Sequence, residues 1–144
     1  MAGRRFGRSA APLALLLLTV FCGCDHGPKR NYIYGRVTVD GQPLDFGSIT
    51  FVPDPTGPKA SGIIEQGRYQ IEAARGPLAG GKFVEIRAPR FPADEPIPTT
   101  KTDKMRQLAV APEALPQRYN AKTELRVSVT DDGPNEFNFE LQSE

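Results

Sequence analysis

The sequence predicts an all-β domain built from two sheets packed face to face, and three observations lead there. Seven stretches alternate apolar and polar residues with a period of two, the mark of half-buried strands. Gly and Pro together make 28 of the 144 residues, follow no fixed period and gather between those stretches as turn formers. No stretch of the folded part carries an amphipathic helix long enough to build a layer, so sheet must pack on sheet.

The first strand is Tyr32 to Val39, with Ile33, Gly35, Val37 and Val39 on one side and Tyr32, Tyr34, Arg36 and Thr38 on the other. Asp40-Gly41 supplies the positive backbone dihedral of a tight turn, and Pro43 has no N–H to give a ladder, so the second strand begins at Gly47 and ends at Val52. Pro53 to Pro58 is loop by composition. A weaker strand over Ala60 to Ile64 and a turn at Glu65-Gln66-Gly67 lead to the fourth, Arg68 to Ala73, with Tyr69, Ile71 and Ala73 inward. After Gly76-Pro77 and Gly80-Gly81 the fifth, Lys82 to Ala88, turns Val84, Ile86 and Ala88 inward and Phe83 outward, where the ring needs a cover that the following segment can supply.

That segment, residues 89–119, holds six prolines and one short helix or strand at Met105 to Ala111. A connection of this length before the last two strands is either functional or disordered. The last strands, Glu124 to Val129 and Glu136 to Leu141, flank a turn at Asp131-Asp132-Gly133 and carry two apolar stripes. A domain of about 110 residues buries roughly two-thirds of its unfolded surface, enough for one core without staples.

The N-terminus reads as an address. Arg4, Arg5 and Arg8 precede an apolar run that is too short to span a bilayer and ends Val20-Phe21-Cys22-Gly23-Cys24, which predicts a signal peptide over 1–23. Gly23-Cys24 resembles a bacterial lipobox, whose Cys thiol takes diacylglycerol before cleavage. Cys24 is the better lipidation candidate than Cys22, because Cys22 would place Phe21 at a cut that wants a small side chain. A cut by the ordinary peptidase would leave a soluble product instead. Residues 24–31 then form a lipidated tether, and 32–144 the domain. The expected location is the bacterial cell envelope, lipid-anchored on the periplasmic or extracellular side of a membrane. No Cys follows Cys24, so the domain holds no internal disulfide.

Gly35-Arg36-Val37-Thr38-Val39-Asp40-Gly41-Gln42-Pro43-Leu44, then Gly67-Arg68-Tyr69 and the strand ending Val84-Glu85-Ile86, resemble the carboxypeptidase-regulatory-like domain. The tail, from Leu115-Pro116-Gln117-Arg118-Tyr119-Asn120 to Phe137-Asn138-Phe139-Glu140-Leu141, looks like the small secreted bacterial lipoproteins that carry one such domain. The resemblance implies a seven-stranded Greek-key β-sandwich of the transthyretin (prealbumin) type and the accessory module alone, without the zinc peptidase domain. Family members place Tyr two residues after the Gly that leads strand five. Lys82 stands there if Gly80 is that glycine, and Phe83 if Gly81 is.

Little catalytic chemistry can be assembled. The one imidazole is His26, in the tether, which removes Ser-His-Asp, Cys-His and multi-histidine zinc arrangements and leaves no catalytic residue, metal or cofactor to name. Asp94-Glu95 and Asp131-Asp132 are adjacent carboxylates that point apart, and the second pair is accounted for as a turn. Asp131, Asp132, Asn135 and Glu136 offer oxygen ligands without EF-hand spacing. From Cys24 onward fifteen basic groups stand against seventeen acidic ones, a net charge of −2 that speaks against a nucleic-acid partner. Lys101, Lys104 and Arg106 form a small basic cluster, read either as a solvated face or as a contact for anionic lipid or polysaccharide. Tyr32, Tyr34 and Phe83 make an aromatic platform for sugar or peptide if their strands are neighbours. The expected function is therefore a non-catalytic, lipid-anchored interaction or structural module of the envelope, with an envelope protein or glycan as partner. The alternative is a lipoprotein that holds a carbohydrate or peptide on the 89–119 loop.

Overall fold

A computed structural model describes Gly3, residues 27–91, Asp94 and residues 98–144. The rest of the predicted signal segment, Cys22, Cys24, His26 and Glu95 lie outside the described residues.

Two hairpins organise the first half of the chain. β1 (Ile33–Val39) turns at Asp40-Gly41 onto the two-residue β2 (Gln42–Pro43), and β4 (Ala60–Glu65) turns at Gln66-Gly67 onto β5 (Arg68–Ile71). All four turn residues have positive φ, between 51° and 80°, the signature of turns whose twist matches that of the flanking strands. β3 (Phe46–Pro53) lies beside β4, and β5 beside β1. β6 (Gly80–Arg87) returns to the other side of β3, and β7 (Arg126–Val129) follows it. The path β2-β1-β5-β4-β3-β6-β7 is antiparallel throughout and curls around one core; β8 (Asn135–Glu136) and β9 (Phe139–Leu141) then run parallel to β1. The fold is all-β, and the described residues include one ten-residue helix, α1 (Lys101–Val110), and two short 3-10 turns at Ala73–Arg75 and Gln117–Tyr119.

The predicted alternation decides which residues fill the curl. Ile33 and Val37 of β1, Ile49 and Phe51 of β3, Ile64, Tyr69, Ile71, Val84 and Ile86 are all buried, joined by Val129, Phe139 and Leu141 from the C-terminal strands. Phe51 packs against both Tyr69 and Phe137, with ring centres 6.1 and 6.3 Å apart. Tyr69 donates its hydroxyl to the Phe137 carbonyl at 2.8 Å, which lets a buried phenol keep a partner. Gly35 sits at the same spot: a Cβ there would stand 1.8 Å from the Phe137 oxygen, so the chain between β8 and β9 can approach β1 only at a glycine.

Several expectations are corrected by pairing that depends on distant parts of the chain. The turn at residues 131–133 lies between the last two strands, as expected, and the sequence leaves open which strand the last one joins. The turn delivers that strand to the free side of β1, where a break at Phe137-Asn138 divides it into β8 and β9. The fourth strand stops at Ile71, and Ala73 opens an exposed 3-10 turn instead of facing inward. Arg30 and Asn31, assigned by composition to the tether, are tied to the domain: Arg30 bridges Leu78, while Asn31 is buried and donates to Pro77 O and to Asp131 Oδ1.

The described part of the 89–119 segment carries regular structure, against the expectation of an irregular loop. It contains α1, and Leu115 and Tyr119 reach into the core. One carboxylate oxygen of Glu113 accepts from the backbone N–H groups of Ala88, Ala114 and Leu115 and pins the segment to the end of β6. Lys82, not Phe83, takes the inward position of strand five. Its ammonium donates to the carbonyls of Ala79, Gly80 and Gly81, and burial pulls its pKa below the ordinary lysine value.

Candidate functional site

Alternation that sends apolar side chains into the curl sends Tyr34 and Arg36 of β1, Tyr32 just before it, and Arg68 and Gln70 of β5 to the opposite face. That outer face forms an open groove of about 1020 Å³, floored by β1, β5 and β4 and flanked by the 3-10 turn at Arg75 and by Lys101 of α1. β1 is hydrogen-bonded to β5 on one side and to β8 and β9 on the other. β4 and β5 pair only at Glu65 and Arg68 and then separate, so Ser61 to Ile63 and Gln70 and Ile71 line the groove along strand edges that face each other unpaired.

Two features distinguish the groove chemically. Tyr32 and Tyr34 lie two residues apart on one face, and their rings stack at 5.5 Å with 29° between planes; Tyr32 remains 41% exposed. Arg36 and Arg68 are direct cross-strand partners, which brings their Cβ atoms to about 5 Å and sets two like charges side by side. Both are exposed, and the ion pairs among the described residues involve Lys101, Arg106 and Arg126 rather than either of them. Three acids line the same groove. Glu65 pairs with Lys101 at 3.8 Å, Glu72 accepts from Gln70, and Glu136 accepts from Asn138. Glu136 also lies beside Tyr34, and the nearby carboxylate holds that phenol's pKa above the ordinary tyrosine value.

The predicted platform of Tyr32, Tyr34 and Phe83 does not form. Phe83 is on β6, four strand positions from β1 along the sheet, roughly 19 Å at the usual spacing. Its cover is also not the 89–119 segment: the Arg126 guanidinium from the neighbouring strand sits 4.0 Å over the ring and is itself paired with Asp54. The basic cluster likewise disperses once wound into α1. Lys101 reaches the groove and Glu65, Lys104 lies 5.4 Å over the ring of Phe46, and Arg106 pairs with Asp103 one turn back. Phe46 points out of the core and is nevertheless buried, with α1 lying against its strand. Of the predicted site residues, then, Tyr32, Tyr34 and Lys101 come together, Phe83, Lys104 and Arg106 stand elsewhere, and Cys24 lies outside the described residues.

Arg36 and Arg68 were missed as site residues because each reads as an ordinary polar position of an alternating strand. Only the β1–β5 register, fixed by the pairing of Ile33 with Ile71, makes them neighbours. In the loop before β8, the side chain of Asn135 is bonded to Thr130 and Gly133, and Asp131 Oδ1 accepts from Asn31. Those oxygens hold the loop together, and among the described residues no three His, Cys, Asp or Glu side chains converge as metal ligands. No protein-family model, no curated protein and no solved structure matches the chain.

Proposed function

We propose that this chain is a non-catalytic module of a bacterial cell envelope, anchored by lipid at Cys24, that engages a partner through the outer face of β1, β5 and β4. The observation that carries the reading is the groove itself: stacked aromatic rings and two exposed arginines without an ion pair among the described residues, set on one sheet face. Soluble domains usually spend such positions on isolated polar groups, whereas recognition sites gather aromatic and arginine side chains. A sheet whose strands are tied by ladder bonds holds these groups in fixed register, as a recognition surface requires. The 89–119 segment contributes Lys101 to this face.

The curled sheet is read as a seven-stranded Greek-key sandwich of the transthyretin type. Support comes from the parallel docking of the C-terminal strands against β1 and from the turn glycines at 41 and 67. The arrangement of sequence before the domain supports the address: a basic start, a short apolar run and Gly23-Cys24, with Lys29 and Arg30 then bonded to the domain at Asp131 and Gly76. Only four residues separate Cys24 from Lys29, so the domain sits close to the bilayer surface.

The test is made on the membrane-bound native protein. Mass spectrometry of the mature N-terminus is expected to find acylated Cys24, and chemical crosslinking in cells is expected to yield reproducible neighbours that a Cys24→Ala variant loses. A mature N-terminus elsewhere, or identical neighbours with and without the anchor, contradicts the reading.

A further inference from the structure

We propose that the groove takes an extended segment of another polypeptide, which adds as a strand to the free edge of β4 and hydrogen-bonds the backbone of Ser61 and Ile63. This deepens the reading of the groove as an interaction surface and rests on it. The pairing of the neighbouring strands shows which backbone groups are already spent. In an antiparallel ladder, successive residues alternate between pointing their N–H and C=O at the partner strand and pointing them away. Asp45 and Gln66 are joined by a backbone bond in the β3–β4 register, so Ile64, Gly62 and Ala60 bond to β3, while Ser61 and Ile63 turn the other way. The β1–β5 register, in which Val37 bonds to Gly67, likewise turns the backbone of Gln70 away from β1.

Beyond the single rung at Glu65 and Arg68, the next one, Ile63 with Gln70, is not made. Ile71 fills the gap from the core side, where a Cβ at Gly62 would stand 2.8 Å from its Cγ1, so the edges open towards the groove. β4 offers the N–H and C=O of both Ser61 and Ile63, against those of Gln70 alone from β5, which makes β4 the template. Folded chains usually shield such an edge with a charge, a proline or a bulge. β4 runs Ala60-Ser61-Gly62-Ile63-Ile64 without any of these, and its ladder with β3 is continuous. The edge is instead recessed, between Lys101 at its Glu65 end and the turn at Arg75. Those flanks suit a single extended chain better than the broad edge of a second folded copy. The guest bonds to main chain, so its affinity follows its own backbone donors and acceptors, spaced two residues apart.

The experiment uses the full-length protein in detergent micelles and a library of acetylated, amidated hexapeptides randomised at every position. Binders are expected, and methylating their backbone nitrogens one at a time should weaken binding at least about tenfold at alternate positions and little in between. Amide exchange followed by NMR should slow at Ser61 and Ile63 when a binder is added, with Gly62 and Ile64, already bonded to β3, unchanged. Ser61→Pro removes a groove-facing N–H and none that β3 uses, and should match that loss of affinity. Ser61→Ala, which keeps the N–H and drops the hydroxyl bond with Thr50, should bind as the native protein does. A circular dichroism melt verifies that both variants keep the fold, and the methylation scan reads the edge on the native protein whatever the proline does. The proposal is overturned if no hexapeptide binds, if methylation is tolerated at every position, if a folded Ser61→Pro protein binds as the native one does, or if a binder leaves exchange at Ser61 and Ile63 as it was. A dimer that pairs through β4 would equally contradict it. A photocrosslinker in the groove separates this failure from that of the broader reading: neighbours captured there without peptide binding refute the strand addition alone, whereas no capture and no binding refute both.

Discussion

Gly35 shows how much can depend on one missing methyl group. Alternation along β1 places it inward, but nothing in its neighbourhood in the sequence says that Phe137, a hundred residues later, will lay its carbonyl where a Cβ would go. Gly35→Ala should therefore force β8 and β9 away from β1 and cost about 3 kcal/mol, as overpacking a tight site does, read as a lower urea midpoint. Tyr69, in contact with the same carbonyl, was legible as a core residue from its place in an alternating run, whereas its bond partner was not. Burial pushes the Tyr69 hydroxyl well above the ordinary tyrosine pKa of about 10. With the folded pKa raised, its contribution is complete below pH 10 and is lost above it, because the unfolded chain ionises there first. Stability should fall as pH rises above about 10, and Tyr69→Phe should lose part of that slope while also losing the Phe137 bond; equal slopes in urea titrations of the two proteins would contradict this. Lys82 teaches the opposite lesson. Its inward position followed from strand period, but its residue type argued for solvent, and only the three nearby carbonyls explain how an ammonium is held there.

Among the elements, the hairpins at Asp40-Gly41 and Gln66-Gly67 were readable because turn chemistry is local and acts within four residues. α1 was readable only in part. Its expected span began at Met105, yet the helix starts at Lys101, since Thr100 caps it: the hydroxyl accepts from the Asp103 N–H at 3.2 Å, and the Asp103 carboxylate accepts from the hydroxyl in return. Thr100-x-x-Asp103 is a start signal of the capping-box kind and was present in the sequence all along. Because α1 buries none of its own residues, it depends on that cap and on contacts through Lys101 and Lys104. Thr100→Ala should destabilise the helix by about 1 kcal/mol. Hydrogen exchange should show faster exchange across 101–110 with the amides of β3 and β6 unchanged, and a global change would contradict the peripheral role of the helix. The final strands show what local pattern omits. Period two identifies Glu136 to Leu141 as extended, but which strand it joins is a question of the whole curl.

At the scale of the molecule, the all-β class followed from alternation and turns because the apolar stripes can be buried only if the sheet closes around them. The groove was less legible. Tyr32, Tyr34 and Lys101 were singled out by residue type, while their assembly with Arg36 and Arg68 rests on the register of β1 against β5 and on the approach of α1 to β3. Phe83 and Arg106 illustrate the cost of grouping residues without that register, for each has its own neighbour elsewhere. A chain with net charge −2 after Cys24 can still carry a local cationic pair, since fields at a surface are set by the nearest groups within a Debye length of about 8 Å. The proposed function requires this face to be where the molecule meets its partner. The most direct measurement replaces Gln70, in the floor of the groove, with photoreactive benzoylphenylalanine in the membrane-bound protein in cells, beside a second protein carrying the probe at the exposed Lys122. Discrete adducts from position 70 and none from position 122 are the predicted result; no adducts from position 70, or the same adducts from both, would contradict it.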